Sequence, residues 1–267
     1  MTVRSHVSAE LVLRITSPGR LAMSVAVAGG PGVESERLTI SGPSGVPEPI
    51  EFPHRTRVHV LDLPLGEVTI NYSADCAGRT GEPERVTEAD AILYTRPSRY
   101  CPSDRLMGLA AGQFGRPGGG RGKIDAIVDF VGSRLFYTPG SSRPTDDAVN
   151  TVLAGEGVCR DYAHLCIAFC RAQDIPARFV AVYAPGLRPM DFHAVFEAAV
   201  DGHWYAFDAT RLAPRASLTR IATGRDASDT AFLSTLGSEL DLLRTTVSAT
   251  ATGELPVEDP DALVSLA

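Results

Sequence analysis

The chain has 267 residues, of which 44% are apolar and 21% charged, and a formal charge of −7. This supplies enough apolar material for a sizeable core, excludes a disordered or fibrous protein, and fits one large domain or two ordinary ones. A negative balance without a Lys/Arg cluster argues against a nucleic-acid scaffold or an anionic-membrane binder. No 18-residue apolar run occurs and the first twenty residues lack an apolar signal core, so the expectation is a soluble, cytoplasmic protein with no membrane and no nucleic-acid partner; no oligomeric state is read from the sequence.

The first hundred residues read as strands. Leu11, Leu13 and Ile15 alternate with polar or outward positions, as do Val25 and Val27 beyond a turn at Pro18-Gly19. Val58 and Val60, then Val68, Ile70 and Tyr72, repeat the period of two. Gly/Pro stretches at 29–32 and 41–47 separate these runs, and a β-sandwich-like domain over residues 1–98 is expected. The polar stretch from Gly78 to Glu88 reads as part of the link between this domain and the next.

Helical signals begin after Cys101-Pro102, where Ser103-Asp104 can cap a helix running toward Gly112. The Gly-rich run 115–122 reads as a flexible connector, with no GxxxxGK[ST] pattern. Ile124, Ile127, Val128, Val131 and Leu135 fall on one helical face. Pro144-Thr145-Asp146-Asp147 supplies a cap for a short helix burying Val149, Val152 and Leu153, which Gly155 can end in a left-handed conformation. The next helix opens around Val158-Cys159 and stops before Pro176; strands occupy 178–184, 193–200 and 203–209. Strands, then helices, then strands make an α+β pattern, with a second domain over 99–250 and an acidic C-terminal tail over 251–267.

Five cysteines, an odd number with no CxxC or HxxxH pair, suit neither a disulfide framework nor zinc, so no metal or other cofactor is expected. Cys166 and Cys170, one turn apart on an apolar face, read as core; Cys76 and Cys101 have no catalytic context. Cys159 differs. Glycines before it let the backbone turn sharply into a helix, where the positive end of the dipole favours a thiolate and unpaired N–H groups can bind an oxyanion.

A nucleophilic thiol needs a base, and the base a partner that orients it. Asp201-Gly202 between two apolar runs signals a two-residue hairpin turn. Val200 then faces His203, Val195 faces Asp208 and His193 faces Thr210, which makes His193 and Asp208 diagonal neighbours on one face. That face also carries Glu197 and Trp204 and reads as a mixed site surface. The other, with Ala194, Phe196, Ala198, Val200, Tyr205, Phe207 and Ala209, reads as core. His203, on the turn, reads as surface.

Gly155-Glu156-Gly157-Val158-Cys159-Arg160-Asp161-Tyr162-Ala163-His164-Leu165, Asp191-Phe192-His193-Ala194 and Trp204-Tyr205-Ala206-Phe207-Asp208-Ala209-Thr210 resemble the bacterial transglutaminase-like superfamily, which includes many candidate cysteine proteases. The resemblance covers about residues 100 to 215. It implies a papain-like α+β transglutaminase core, preceded here by the β-sandwich-like domain, with Cys159, His193 and Asp208 as the catalytic triad. Val195 stands where many members have Trp, and Asp208-Ala209-Thr210 replaces the more usual Asp-Pro-Thr.

Arg160, Asp161 and His164 lie within one helical turn and can touch; they read as support for the helix start or the thiol, and Asp161 also suits the dipole. Trp204 is balanced between shielding the triad and plain packing. Tyr137 and Gln113 are candidate oxyanion donors, and Glu197 is expected to meet solvent or an Arg. The expected activity is cysteine-dependent acyl transfer: hydrolysis of a peptide or protein amide through a thioester on Cys159. Protein-glutamine transamidation by the same triad, or a peptide-binding module without catalysis, are the alternatives.

Overall fold

The computed structural model describes residues 3–41, 45–78 and 81–267; residues 42–44 of the expected turn and 79–80 of the expected link lie outside them. Six strands open the chain: β1 (Ser5–Ser17), β2 (Gly19–Met23), β3 (Val33–Ile40), β4 (Ile50–Phe52), β5 (Thr56–Leu63) and β6 (Gly66–Cys76). Leu11 of β1 sits opposite Ile70 of β6, and Leu13 opposite Val68, so the alternating apolar sets share one buried face.

Two details depart from the expected strands. Val25 and Val27 are buried, yet they lie beyond β2 in an irregular segment. Their backbone groups serve scattered partners instead of one ladder: the Val27 N–H donates to Tyr72 Oη (3.0 Å), and the Val25 carbonyl accepts from Tyr183 Oη (2.8 Å). In β5 the core side is His59, Leu61 and Leu63, while Val58 and Val60 face the other way, because the β2–β5 register sets Leu21 against Leu61.

The helices come next: α1 (Glu88–Leu93), α2 (Ser103–Phe114), α3 (Arg121–Arg134), α4 (Ala148–Ala154) and α5 (Cys159–Ala172), with two-residue strands β7 (Phe136–Tyr137) and β8 (Glu156–Gly157) between them. The expected link thus contains a helix: the Thr87 side chain accepts the Asp90 N–H and the Asp90 carboxylate accepts the Thr87 N–H. Six residues are too few to show an apolar stripe. Ser103 is a buried first-turn residue of α2 with Pro102 at the N-cap, so it caps nothing. In α4, Asp147 caps as expected, but Leu153 is 80% exposed. It lies five residues from buried Ala148, about 140° around the helix.

β9 (Ala177–Tyr183), β10 (His193–Val200), β11 (His203–Phe207) and β12 (Thr219–Gly224) form an antiparallel sheet in the order β11-β10-β9-β12. The β10–β11 turn has Asp201 at φ 48° and Gly202 at φ 77°, and its register pairs Val200 with His203 through Phe196 with Phe207, as the turn residues require. α5 packs on the Ala194, Phe196, Ala198 and Val200 side and is itself buried from Asp161 to Ala172.

After the short α6 (Ala227–Thr230), β13 (Leu233–Leu236) pairs with β2 and β14 (Glu239–Ala251) with β1. The sandwich sheets are therefore β14-β1-β6-β3 and β13-β2-β5-β4. The expected boundary at residue 250 moves accordingly, because Val247 and Ala249 of β14 complete the buried face of β1. The boundary at 98 moves as well: α1 leads into Tyr94, whose carbonyl accepts the Ala177 N–H and whose ring meets Trp204 edge-on. The acidic tail packs back on the core. Glu258 receives the Arg215 guanidinium at 2.6 Å, Val264 pairs with Ala206, and Leu266 is buried.

A buried ion network joins these parts. Arg178 donates to Glu197 Oε2 (2.7 Å) and to Glu84 Oε2 (2.6 Å) and lies over the Trp204 ring at 4.2 Å, while Arg220 donates to Glu197 Oε1 (2.7 Å). Burial alone would raise the Glu197 carboxyl; the two guanidinium charges outweigh it and hold the group below its usual range. Glu197→Ala leaves two buried cations short of a partner and is expected to lower unfolding free energy by about 3–5 kcal/mol, measured by urea denaturation.

Candidate active site

Gly155 ends α4 in the left-handed region (φ 73°, ψ 13°), and the chain passes through the parallel β7–β8 pair into the N-terminus of α5. Gly157 has no room for a side chain, since a Cβ there would stand 2.7 Å from that of Asp161. The Asp161 carboxylate accepts the Val158 N–H (2.9 Å) and the Ser142 hydroxyl (2.9 Å), which fixes the helix start. Cys159 is the first helical residue and is half-buried, unlike the other cysteines. Burial pushes their thiols up, Cys76 to about 11, Cys101 and Cys170 to about 12, and Cys166 well above the usual value.

From the hairpin, His193 Nε2 and Asp208 Oδ2 share a 2.8 Å hydrogen bond, with both side chains buried. The paired ladder stops at Phe196–Phe207, so this diagonal bond spans the strand ends. Thr210 holds the other carboxylate oxygen: its N–H and Oγ1 donate to Asp208 Oδ1 at 2.8 and 2.7 Å. The second ring nitrogen, Nδ1, makes no hydrogen bond to a nitrogen or oxygen among the described residues, and the Cys159 thiol is the ring's other partner. Burial would lower the imidazole; the charge and hydrogen bond of Asp208, then the thiol, outweigh it and raise the ring to about 10. Asp208 is held below the ordinary carboxylate range, since its bonds to His193 and Thr210 overcome the burial that would raise it.

Tyr137 reaches the same point from β7. Its phenol lies within electrostatic reach of Cys159, and its ring leans on Tyr162 with centroids 6.0 Å apart. Burial, seconded by the charge of Cys159, pushes this phenol to about 12.

The remaining expectations divide. Arg160 donates to Ser142 Oγ (2.6 Å) and the Arg143 carbonyl (2.8 Å), so with Asp161 it secures the helix start. His164 turns away from both, stacks on Tyr100 and accepts the Ala227 N–H through Nε2. Burial lowers its imidazole to about 3, which keeps it neutral. Trp204 is fully buried beside Ala199 at the turn end of the hairpin, about 20 Å of strand from His193, and packs on Arg178 and Tyr94. Gln113 is exposed on α2 and lines a surface pocket together with Ala209, Thr210 and Arg211, a pocket that does not include Cys159. The expected mixed site surface is not a surface: Val195 and Ala206 lie in core, and Glu197 lies in the ion network. Linker residue Glu84 and tail residues Val264 and Leu266 cover it, which no strand periodicity reports. Ser142 carries no mark in the sequence, and Thr210 stands in the Asp208-Ala209-Thr210 motif without a role assigned to it; the Asp-x-Thr spacing, which suits a carboxylate folding back on the residue two further on, is the signal that points to Thr210.

The transglutaminase-like superfamily profile matches residues 108–209. A candidate cysteine protease from Cytophaga hutchinsonii, solved as a crystal structure, is 32% identical, covers 98% of this chain and 96% of its own, and superposes with a TM-score of 0.88. The chain belongs to the transglutaminase-like superfamily. An uncharacterized protein from Mycobacterium leprae is 24% identical over 197 residues, 66% of this chain and 71% of that one. The fold is thus an α+β, papain-like transglutaminase core with a β-rich N-terminal domain, and the family supports a cysteine-dependent enzyme.

The raised imidazole has a checkable origin. By histidine NMR, His193 should stay protonated to a pH near 10, and Asp208→Asn, which removes the largest opposing charge, should bring its titration down toward the ordinary value of about 6.5. An unchanged titration in the variant would show that Asp208 is not what holds the proton.

Proposed function

We propose that the protein hydrolyses peptide or protein amides through a thioester on Cys159, with Cys159, His193 and Asp208 as a catalytic triad. The observation that carries this reading is a buried imidazole bonded to a carboxylate at 2.8 Å through one nitrogen, with a half-buried thiol at a helix start as the ring's other partner. The full-length likeness to a candidate cysteine protease supports the same chemistry.

Cys159 and His193 stand as a thiolate–imidazolium pair, the proton on Nδ1, with Asp208 fixing the ring through Nε2. The sulfur attacks the amide carbonyl, and the developing oxyanion takes the Cys159 N–H. The Tyr137 hydroxyl donates to the same oxygen. Nδ1–H passes its proton to the departing amine, leaving a thioester and a neutral imidazole. Water then attacks the thioester, His193 takes its proton, and release of the acid restores the ion pair. An amine in place of water would give transamidation by the same steps.

Incubation with a library of peptide amides tests this. The wild type should release acid products, and Cys159→Ala none. Tyr137→Phe should lower kcat about 100-fold with KM little changed, the signature of a lost oxyanion donor. Amine adducts in place of acids would move the reading to transamidation, and equal turnover by Cys159→Ala would remove it.

A further inference from the structure

Asp208 lies just past Phe207, the last residue of β11, so the sheet ladder does not set its direction. A turn does. Oδ1 of the carboxylate accepts the Thr210 N–H at 2.8 Å and the Thr210 hydroxyl at 2.7 Å, which closes Asp208-Ala209-Thr210 on itself and leaves Oδ2 for His193. Arg211 follows in the left-handed region (φ 54°), where few residues with a side chain rest, and donates to Asp129 of α3. That ion pair is exposed on both sides and contributes little by itself. One helical turn further along α3, Gly132 stands against the Ala209 carbonyl: a Cβ there would lie 2.9 Å from the carbonyl oxygen. Carbon and oxygen do not pack so closely, and a backbone oxygen has no rotamer into which it can retreat. Gly132 is exposed in the last turn of its helix, where alanine is the better helix former. Its neighbour requires the glycine; its helix does not.

From these contacts we infer that Gly132 and Thr210 are positioning residues for the candidate triad: α3 seats the Ala209 peptide, Thr210 turns the Asp208 carboxylate, and the carboxylate turns His193. The inference rests on the proposed thiol chemistry at Cys159 and names what aims its imidazole. Neither residue touches a reacting atom. A side chain at Gly132 pushes the Ala209 carbonyl, which lies between Asp208 and Thr210 in the chain, and so moves both ends of the turn. Thr210→Val puts a methyl group where the hydroxyl now stands 2.7 Å from Oδ1. A methyl carbon settles at about 3.5 Å or more and drives that oxygen away. Either change lengthens or swings the 2.8 Å bond to His193 and weakens the interaction that keeps the ring protonated. Thr210→Ser keeps the donor.

Two readouts test this without any peptide substrate: the His193 titration by NMR, and the rate at which iodoacetamide labels Cys159 at pH 6. Gly132→Ala and Thr210→Val should each lower the titration by about 1–2 pH units and slow the labelling about 10- to 100-fold, tenfold for each unit. Thr210→Ser should keep both at the wild-type values. So should Gly108→Ala on α2, where a Cβ would meet nothing within 4 Å. With peptide amides, Gly132→Ala and Thr210→Val should lower kcat and leave KM, as expected of a misaimed group. A residue that only supports the fold would move the melting temperature and neither readout. Should Gly132→Ala fail to fold, Thr210→Val against Thr210→Ser carries the same comparison. Wild-type titration and labelling in the folded variants, beside a lowered titration in Asp208→Asn, overturn the inference and leave the triad standing. An unmoved titration in Asp208→Asn as well removes the orienting pair from the triad, and the inference with it.

Discussion

The structure turns on one buried contact, the hydrogen bond between His193 Nε2 and Asp208 Oδ2 at 2.8 Å. A carboxylate and an imidazole out of water are costly unless each is paired and oriented. Here the hairpin register supplies the pairing, and Thr210 occupies the remaining carboxylate oxygen. The ring is thus left with one nitrogen beyond this bond, and its other partner is the Cys159 thiol at the start of α5. Everything else in the core can be seen as keeping α5 and the β10–β11 hairpin in that relation.

Two devices hold α5 in place. At its start, Asp161 closes the first turn on Val158 and Ser142, and Gly157 leaves the space that Asp161 needs. Along its length, nearly every residue is buried between the helices and the sheet. Behind the sheet, the Arg178, Glu197, Glu84 and Arg220 network ties the linker to the hairpin, and the tail covers the edge of β11. The same face of the hairpin therefore differs at its two ends: it holds the imidazole–carboxylate pair at His193 and Asp208, and it joins the parts of the chain at Glu197 and Trp204.

Much of this was legible in the sequence because it is local. The Asp201-Gly202 turn sets the register by its own backbone needs, and Gly155 and Asp147 set the ends of α4 in the same way. The helix start at Cys159 is set by the glycines before it. What stayed hidden depends on distant segments. Trp204 and Glu197 share a face with His193, yet Glu84 and the tail bury them, and period-two alternation carries no record of that cover. β14 returns to β1 across more than two hundred residues, so its membership of the sandwich is invisible to any local pattern. Tyr137 reaches Cys159 only because β7 pairs with β8, two residues each, too short to register as strands.

The most direct measurement of the central claim is the labelling of the protein by substoichiometric iodoacetamide at pH 6, with each cysteine mapped by mass spectrometry. The account predicts that Cys159 carries nearly all the label at that pH, while Cys76, Cys101, Cys166 and Cys170, whose thiols burial pushes up, carry almost none. If Cys159 reacts no faster than the buried thiols, and only as the pH approaches the free-thiol value of about 8.5, the ion pair with His193 does not exist and the account fails.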